Sequence, residues 1–502
     1  MALVSCDRWR NAWMEKKNVL KKYIVAFIIV VAIIITAIAI IYGYINSPDA
    51  DKEAAVPTPS SQTLLPEEPQ EPSVTDEPQP KPHGTVRIRV YTAFRELDDI
   101  IERYAEEHWD FDYLVLAYTD ELVYSFLDIV NLAGDNLKNN TEPMDLFCVP
   151  AAYMSQFAKG EFSEYVCTYE ELGIDVDSLL EKMDIPRYII EAGTNRDGKI
   201  AALPVLSSAN VFLYRRSVAR EVFGTDDPDK ISEIIGGGTQ SWDKFLEAAQ
   251  TLKEHGYYIV PGCEDMTCLV DTSCPVSGLM DENFRPDPAW EKFMDVSKIL
   301  YENGCIKDIE AWSDEWFNII KGEGDKVFGI VTSTDNCYFL DALSFEKTYG
   351  DWAVCLSPFQ IPADLYSGVF VSKHTENKEL IKPLIEWITL DSSKTGLQYR
   401  LANGTFYDCY NYPVVSRAIL KESFNSCGMI DGQDMNPIIY ESLNILDSLS
   451  PPAVTHDIRY GFIFNRFLEE TRAYIRGEKD KETAIADFIE NARKSWEDGT
   501  RW

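Results

Sequence analysis

From residue 86 onward the chain alternates between two hydrophobic periods, one of two residues and one near 3.6, and the switches mark strands and helices. Val86-Arg87-Ile88-Arg89-Val90-Tyr91 alternates as a strand does, and residues 94–107 follow with Leu97, Ile100, Ile101 and Tyr104 at helical spacing. Residues 113–118 read as a second strand and 122–132 as a helix. Residues 144–149 read as a buried third strand that ends at Pro150, with a helix starting at Tyr153. Strands alternating with helices predict a mainly parallel sheet covered on both faces. Ligands sit at the carboxyl ends of such strands, which nominates Tyr91 to Arg95, including Phe94, and Pro150 to Tyr153.

A different pattern occupies residues 197–216. Asp197-Gly198 supplies a tight turn, and an apolar run from Ile200 to Leu203 meets Pro204. The proline disfavours helix at Leu203, so the chain leaves extended. Small polar residues follow, Ser207, Ser208 and Asn210 among them, and then a second apolar run from Val211 to Leu213. This predicts a strand, a short crossing and another strand: a hinge between two lobes whose walls hold a ligand.

Further on, Ser241 is placed to cap a helix that runs to Glu254 and stops at Gly256. Residues 257–260 predict a strand, 289–301 and 314–321 helices, and 327–331 a buried strand whose loop holds residues 332–338. Strands are expected at 352–356 and 366–371, then a helix over 378–390. The chain beyond Tyr412 reads as mostly helical.

Upstream, Tyr23 to Ile45 is an apolar run without charge or proline, long enough to cross about 30 Å of hydrocarbon. Basic residues precede it and acidic ones follow. The positive-inside rule therefore puts residues 1–22 in the cytoplasm and the rest outside the cell. The run is longer than a cleaved signal needs, so the expectation is an uncleaved, single-pass signal anchor in the cell membrane. Residues 46–83 are rich in proline and acid with almost no apolar periodicity, and predict a disordered spacer.

The formal net charge of -35 argues against nucleic acid as a partner, because phosphate binding needs clustered Lys and Arg. Eleven cysteines contain no CxxC pair and only five histidines accompany them, so no metal site is expected and disulfide connectivity stays open. HExxH, GxSxG and the P-loop pattern are absent. Carboxylate pairs such as Asp98-Asp99 and Glu264-Asp265 resemble a glycosidase dyad only as chance would supply among 82 acidic residues.

Six stretches in order carry a resemblance: "MDLFCVPAAYMSQFAKGEFSEY", "DGKIAALPVLSSANVFLYRR", "SWDKFLEAAQTLKEHG", "YGDWAVCLSPF", "YSGVFVSKHTENKELIKPLIEWI" and "YIRGEKDKETAIADFIENA". Over roughly residues 84–498 the chain resembles the extracellular solute-binding proteins of carbohydrate ABC transporters, the maltose-binding-protein-like family. The resemblance implies an α/β, two-lobed periplasmic-binding-protein-like (type II) fold with a hinge; the one transmembrane helix and the disordered linker expected before it rest on the apolar run and composition alone. It implies a first lobe over 84–204 and 368–405, and a second over 205–367 with C-terminal helices at 406–502. The activity it implies is capture of a small solute, a sugar or oligosaccharide, by hinge closure and delivery to ABC permease subunits, without catalysis or cofactor. Its ligand contacts map to Tyr91, Phe94, Arg95, Pro150, Tyr153, Ser207, Ser208, Asn210, Asp265, Asp335, Asn336 and Tyr338. Tyr366 is added as a ligand-binding residue at a second lobe crossing near 366–372. The aromatic cluster Phe406, Tyr407, Tyr410 and Tyr412 either caps the cleft or packs a lobe, with Phe406 and Tyr407 taken as ligand candidates. Two other classes stay open: a tethered sensor or adhesion module on the same fold, and a secreted glycosidase.

Overall fold

The structure, a computed structural model, describes residues 86–92, 96–118, 126–141, 143–149, 151–270, 286, 288–334, 336–344, 347–361, 367–407, 411–449 and 459–497. The described residues all belong to the compact unit that begins at His83. The expected membrane span at 23–45 and the linker at 46–83 lie outside the described residues. Among the described residues no helix is long and apolar enough to cross a membrane.

Among the described residues nine strands form two sheets. The first holds β1 (Val86–Thr92), β2 (Tyr113–Tyr118), β3 (Leu146–Val149), β4 (Val166–Cys167), β5 (Ala202–Pro204) and β9 (Gly368–Ser372), in the order β2-β1-β3-β9-β4 with β5 also on β9. The second holds β6 (Asn210–Arg215), β7 (Gly329–Ser333) and β8 (Trp352–Leu356) in the order β7-β6-β8. The strand alternation is realised with Ile88 and Val90 buried and Val86 half-buried, and β3 is buried along its whole length, as a strand covered on both faces must be.

The expected mainly parallel sheet is corrected to a mixed one. β1 runs parallel to β2 and β3, but β9 is antiparallel to β3, β4 and β5, and β6 is antiparallel to both neighbours. The cause lies in the crossings. β1, β3 and β5 run toward the hinge, whereas β9 enters from it and must run the other way. In the second sheet β6 leaves the hinge while β7 and β8 return to it. Residues 257–260 make isolated parallel bridges at Tyr258–Val327 and Val260–Ile306 instead of the expected full strand. The helix expected over 378–390 is α-helical for Lys378–Ile385, contains Pro383, and continues as a π turn over Glu386–Leu390. A proline removes one N–H from the i→i−4 ladder, so a change of hydrogen-bond pattern there is expected.

The two faces of the second sheet feed two cores, as the two-residue period of a strand requires. Val211, Leu213, Ile330 and Val354 join a core that reaches Phe147 and Phe370 of the first sheet and Phe157 of the helix Ala151–Ala158. Phe212, Tyr214, Phe328 and Cys355 join a second core with Phe245, Trp290, Phe293, Phe467 and Phe488. Phe147 stacks on Phe370 with centroids 5.0 Å apart, locking β3 to β9 at the position where the chain returns to the first sheet.

Candidate functional site

β1, β3 and β5 end, and β9 begins, on the side of the first sheet where β6 begins and β7 and β8 end in the second. The chain passes between the sheets at 205–209 and again between Ser357 and Gly368. It passes a third time after residue 420. Arg417 is held by Asp184 at 2.7 Å on the first-sheet side, whereas Met429 donates its N–H to Asp341 and Gln433 Nε2 donates to the Val354 carbonyl on the other.

The first passage has a defined backbone. Ser207 N–H donates to Pro413 O (3.0 Å), Val415 N–H to Val205 O (3.2 Å), and Thr334 N–H to Ala209 O (3.1 Å). Ser208 Oγ lies 3.4 Å from Thr334 Oγ1, and Asn210 Nδ2 donates to the Cys268 carbonyl at 2.9 Å. Gln360 Nε2 donates to Asn210 O at 3.0 Å, so the second passage is pinned to the start of β6. Two buried oxygens in this cluster, Ser207 Oγ and Gln360 Oε1, make no hydrogen bond. Each unsatisfied group of this kind costs about 1–3 kcal/mol, a cost that a rearrangement or ligand at the hinge would offset.

The second-lobe wall is built by parallel segments that end on the same side as β7. Val260 runs parallel to Ile306, with Ile259 N–H to Cys305 O at 3.0 Å and Lys307 N–H to Pro261 O at 3.1 Å. Beyond Val260 the chain turns into a 3-10 helix over Cys263–Leu269, and beyond Ile306 it leads through Ile309 to Trp312. Gly262 makes this junction possible, since a Cβ there would stand 2.4 Å from the Ile309 carbonyl oxygen.

Three side chains stack into this wall. Asp265 is 4% exposed and accepts from Trp316 Nε1 at 2.8 Å through Oδ1, while its Oδ2 makes no hydrogen bond. Burial pushes the Asp265 carboxyl up to about 7, against the lowering effect of the Trp316 N–H. Trp312 lies over Trp316, with centroids 5.0 Å apart and planes 29° apart, and is 48% exposed. Its φ is +65°, a left-handed conformation that bulky side chains rarely adopt. A large aromatic left half in solvent, in a strained backbone and on a buried partner, is arranged to meet something flat and apolar.

The structure thus gathers Ser207, Ser208 and Asn210 at the hinge. Asp265 joins them through the Cys268 carbonyl, and Asn336 through Thr332, to whose Oγ1 its Nδ2 donates at 3.2 Å. Tyr153 follows the end of β3 and is buried. Tyr91 is buried in the first core, with Asn136 Nδ2 donating to its hydroxyl at 2.7 Å. Phe406 is buried against Trp387, with the Arg400 guanidinium 5.3 Å from its ring, and Tyr407 packs edge-on at 4.6 Å. Tyr338 belongs to the helix Asn336–Ser344. Phe94, Arg95, Pro150, Asp335 and Tyr366 lie outside the described residues.

Trp312 was not among the sequence candidates. The signal available was a tryptophan directly before Ser313, whose Oγ accepts from Trp316 N and caps the helix Asp314–Ile320. Burial pushes the Cys148 and Cys263 thiols up to about 12. Such thiols stay protonated at neutral pH and serve as packing groups.

Neither a protein-family model nor a curated protein matches the chain. Solved structures do match it. An extracellular solute-binding protein of family 1 superposes with a TM-score of 0.60 at 13% identity, over 82% of this chain and 99% of that one. The sugar-binding protein MalE of Xanthomonas citri gives 0.56 at 13% identity, over 83% and 100%. The galacto-N-biose-/lacto-N-biose I-binding protein of the Bifidobacterium longum ABC transporter, solved with lacto-N-biose, gives 0.54 at 15%, over 83% and 98%. The fold is that of the extracellular solute-binding proteins. The superposed share is close to that of the unit beginning at His83, so the solute-binding fold accounts for both sheets and the three passages between them.

Proposed function

We propose that the protein captures a small solute, most consistent with a sugar or oligosaccharide, by closing its two lobes on it, and hands it to an ABC importer while anchored in the membrane by residues 23–45. The observation that carries the reading is the Trp312–Trp316 stack, whose Trp316 donates to Asp265 in the same 3-10 helix that is tied through the Cys268 carbonyl to Asn210 of the polar hinge group Ser207, Ser208 and Asn210. A sugar offers one apolar C–H face and a rim of hydroxyls, and this pairing of an aromatic platform with small polar groups matches both. The names of the MalE and lacto-N-biose-binding neighbours support the same class.

Binding without catalysis fits the carboxylates. Glu264 is ion-paired with Arg472 at 2.7 Å and also accepts from Ala311 N–H, so it is committed to structure and unavailable as the second member of an acid/base dyad with Asp265.

A thermal-shift screen of mono- and oligosaccharides, with peptides and polyamines as controls, tests the reading. A sugar at about 100 times its Kd raises stability by about 2.7 kcal/mol. A shift from a control class and none from any sugar overturns it. The anchor is tested by the mass of the membrane-bound product, expected at the full 57.1 kDa. A product shorter by ~4–5 kDa means a cleaved signal instead.

A further inference from the structure

The strained conformation of Trp312 has to be imposed by its surroundings, since a non-glycine residue at positive φ costs about 1–3 kcal/mol and persists only where neighbours over-determine it. Two tethers bracket it. On its carboxyl side, Ser313 Oγ donates to Glu310 O at 2.7 Å and caps the helix that carries Trp316. On its amino side, Ala311 N–H donates to Glu264 Oε2 at 2.7 Å.

Glu264 is itself held from a distant part of the chain. Its Oε1 pairs with Arg472 Nη1 at 2.7 Å, and Arg472 Nε donates to Asp308 Oδ1 at 3.0 Å. Arg476, one turn on, pairs with the other oxygen of Asp308. Arg472 thus bridges two carboxylates, on residues 264 and 308, that belong to the two segments joined at Gly262 and Ile309. The three side chains are only 15–19% exposed, so the pairs are shielded from the solvent that makes surface ion pairs weak. Arg472 lies on the helix Arg459–Ile475, with Arg476 just past its end, and Phe467 fixes that helix in the second core against Trp290.

We propose that Arg472 and Glu264 are positioning residues for the ligand platform: the helix Arg459–Ile475, through Arg472, Glu264 and the Ala311 N–H, holds Trp312 in its left-handed conformation over Trp316. The inference rests on the proposed solute-binding role for its effect on affinity, but not for its effect on the stack.

Two readouts test it on the full chain in detergent. The first needs no ligand. Two stacked indoles give a near-UV circular dichroism couplet, isolated as the difference between wild type and Trp312→Phe. Glu264→Ala loses that couplet. Glu264→Gln, whose amide oxygen still accepts from Ala311 N–H, keeps it. Arg472→Met weakens it, and serves as the second variant should Glu264→Ala fail to fold.

The second readout is a double-mutant cycle with lacto-N-biose and maltotriose as probes. Glu264→Ala lowers affinity about tenfold in the wild-type background, and by no more than about twofold in the Trp312→Ala background. An intact couplet in Glu264→Ala overturns the proposal, as does an equal affinity loss in both backgrounds. If Trp312→Ala itself leaves affinity unchanged, or neither probe binds, the platform reading suffers while the couplet still decides the positioning role.

Discussion

Asp265 is the residue whose chemistry is most exposed to test. Burial raises its folded-state pKa from the ordinary 3.8 to about 7, so the folded chain holds this proton more tightly than the unfolded chain does. The resulting stability is fully present below the unfolded value and is lost as pH rises through about 7. Asp265→Asn is neutral at every pH and escapes that loss. Its melting temperature relative to wild type therefore rises between pH 5 and pH 8, with a free-energy slope of at most about 1.4 kcal/mol per pH unit. A difference flat across that range means Asp265 is not held as a buried, proton-binding carboxyl.

At this scale the sequence was informative where position alone fixes role. Ser207, Ser208 and Asn210 stood between a proline-ended strand and an apolar one, and they lie in the hinge passage. Trp312 was illegible because its significance comes from a left-handed φ and a stacking partner four residues on, neither of which periodicity reports.

Among the elements, the junction of Gly262 with Ile309 does most to place the second-lobe wall. Gly262 is extended, so its role comes from close approach rather than from backbone freedom. Gly262→Ala forces the Ile309 carbonyl outward and is expected to cost about 1–3 kcal/mol by urea unfolding. It also shifts the fluorescence of the Trp312–Trp316 pair. Wild-type stability together with unchanged emission contradicts the close packing of these segments. Strand existence was readable from apolar runs such as residues 144–149 and 352–356. Strand direction was not, because alternation of strands and helices carries no record of which end of a sheet the chain enters after crossing a hinge. β9 and β6 are antiparallel for that reason.

For the whole molecule, two sheets joined by three passages suit the proposed closure, in which the lobes move as bodies and a ligand touching both stabilises the closed arrangement. The fold class was legible because six stretches stood in a fixed order over most of the chain. Ligand identity was not, because small polar hinge residues serve many hydroxylated solutes, and the proposed platform Trp312 lies in a loop without periodicity.

The measurement that bears most directly on this account is small-angle scattering from residues 83–502, recorded with and without a saturating concentration of the sugar that gives the largest thermal shift. Closure predicts a smaller radius of gyration on binding, and Ser208→Trp, which fills the hinge with an indole, removes both the binding and the compaction. A sugar that binds tightly while the scattering curve stays unchanged would contradict the account.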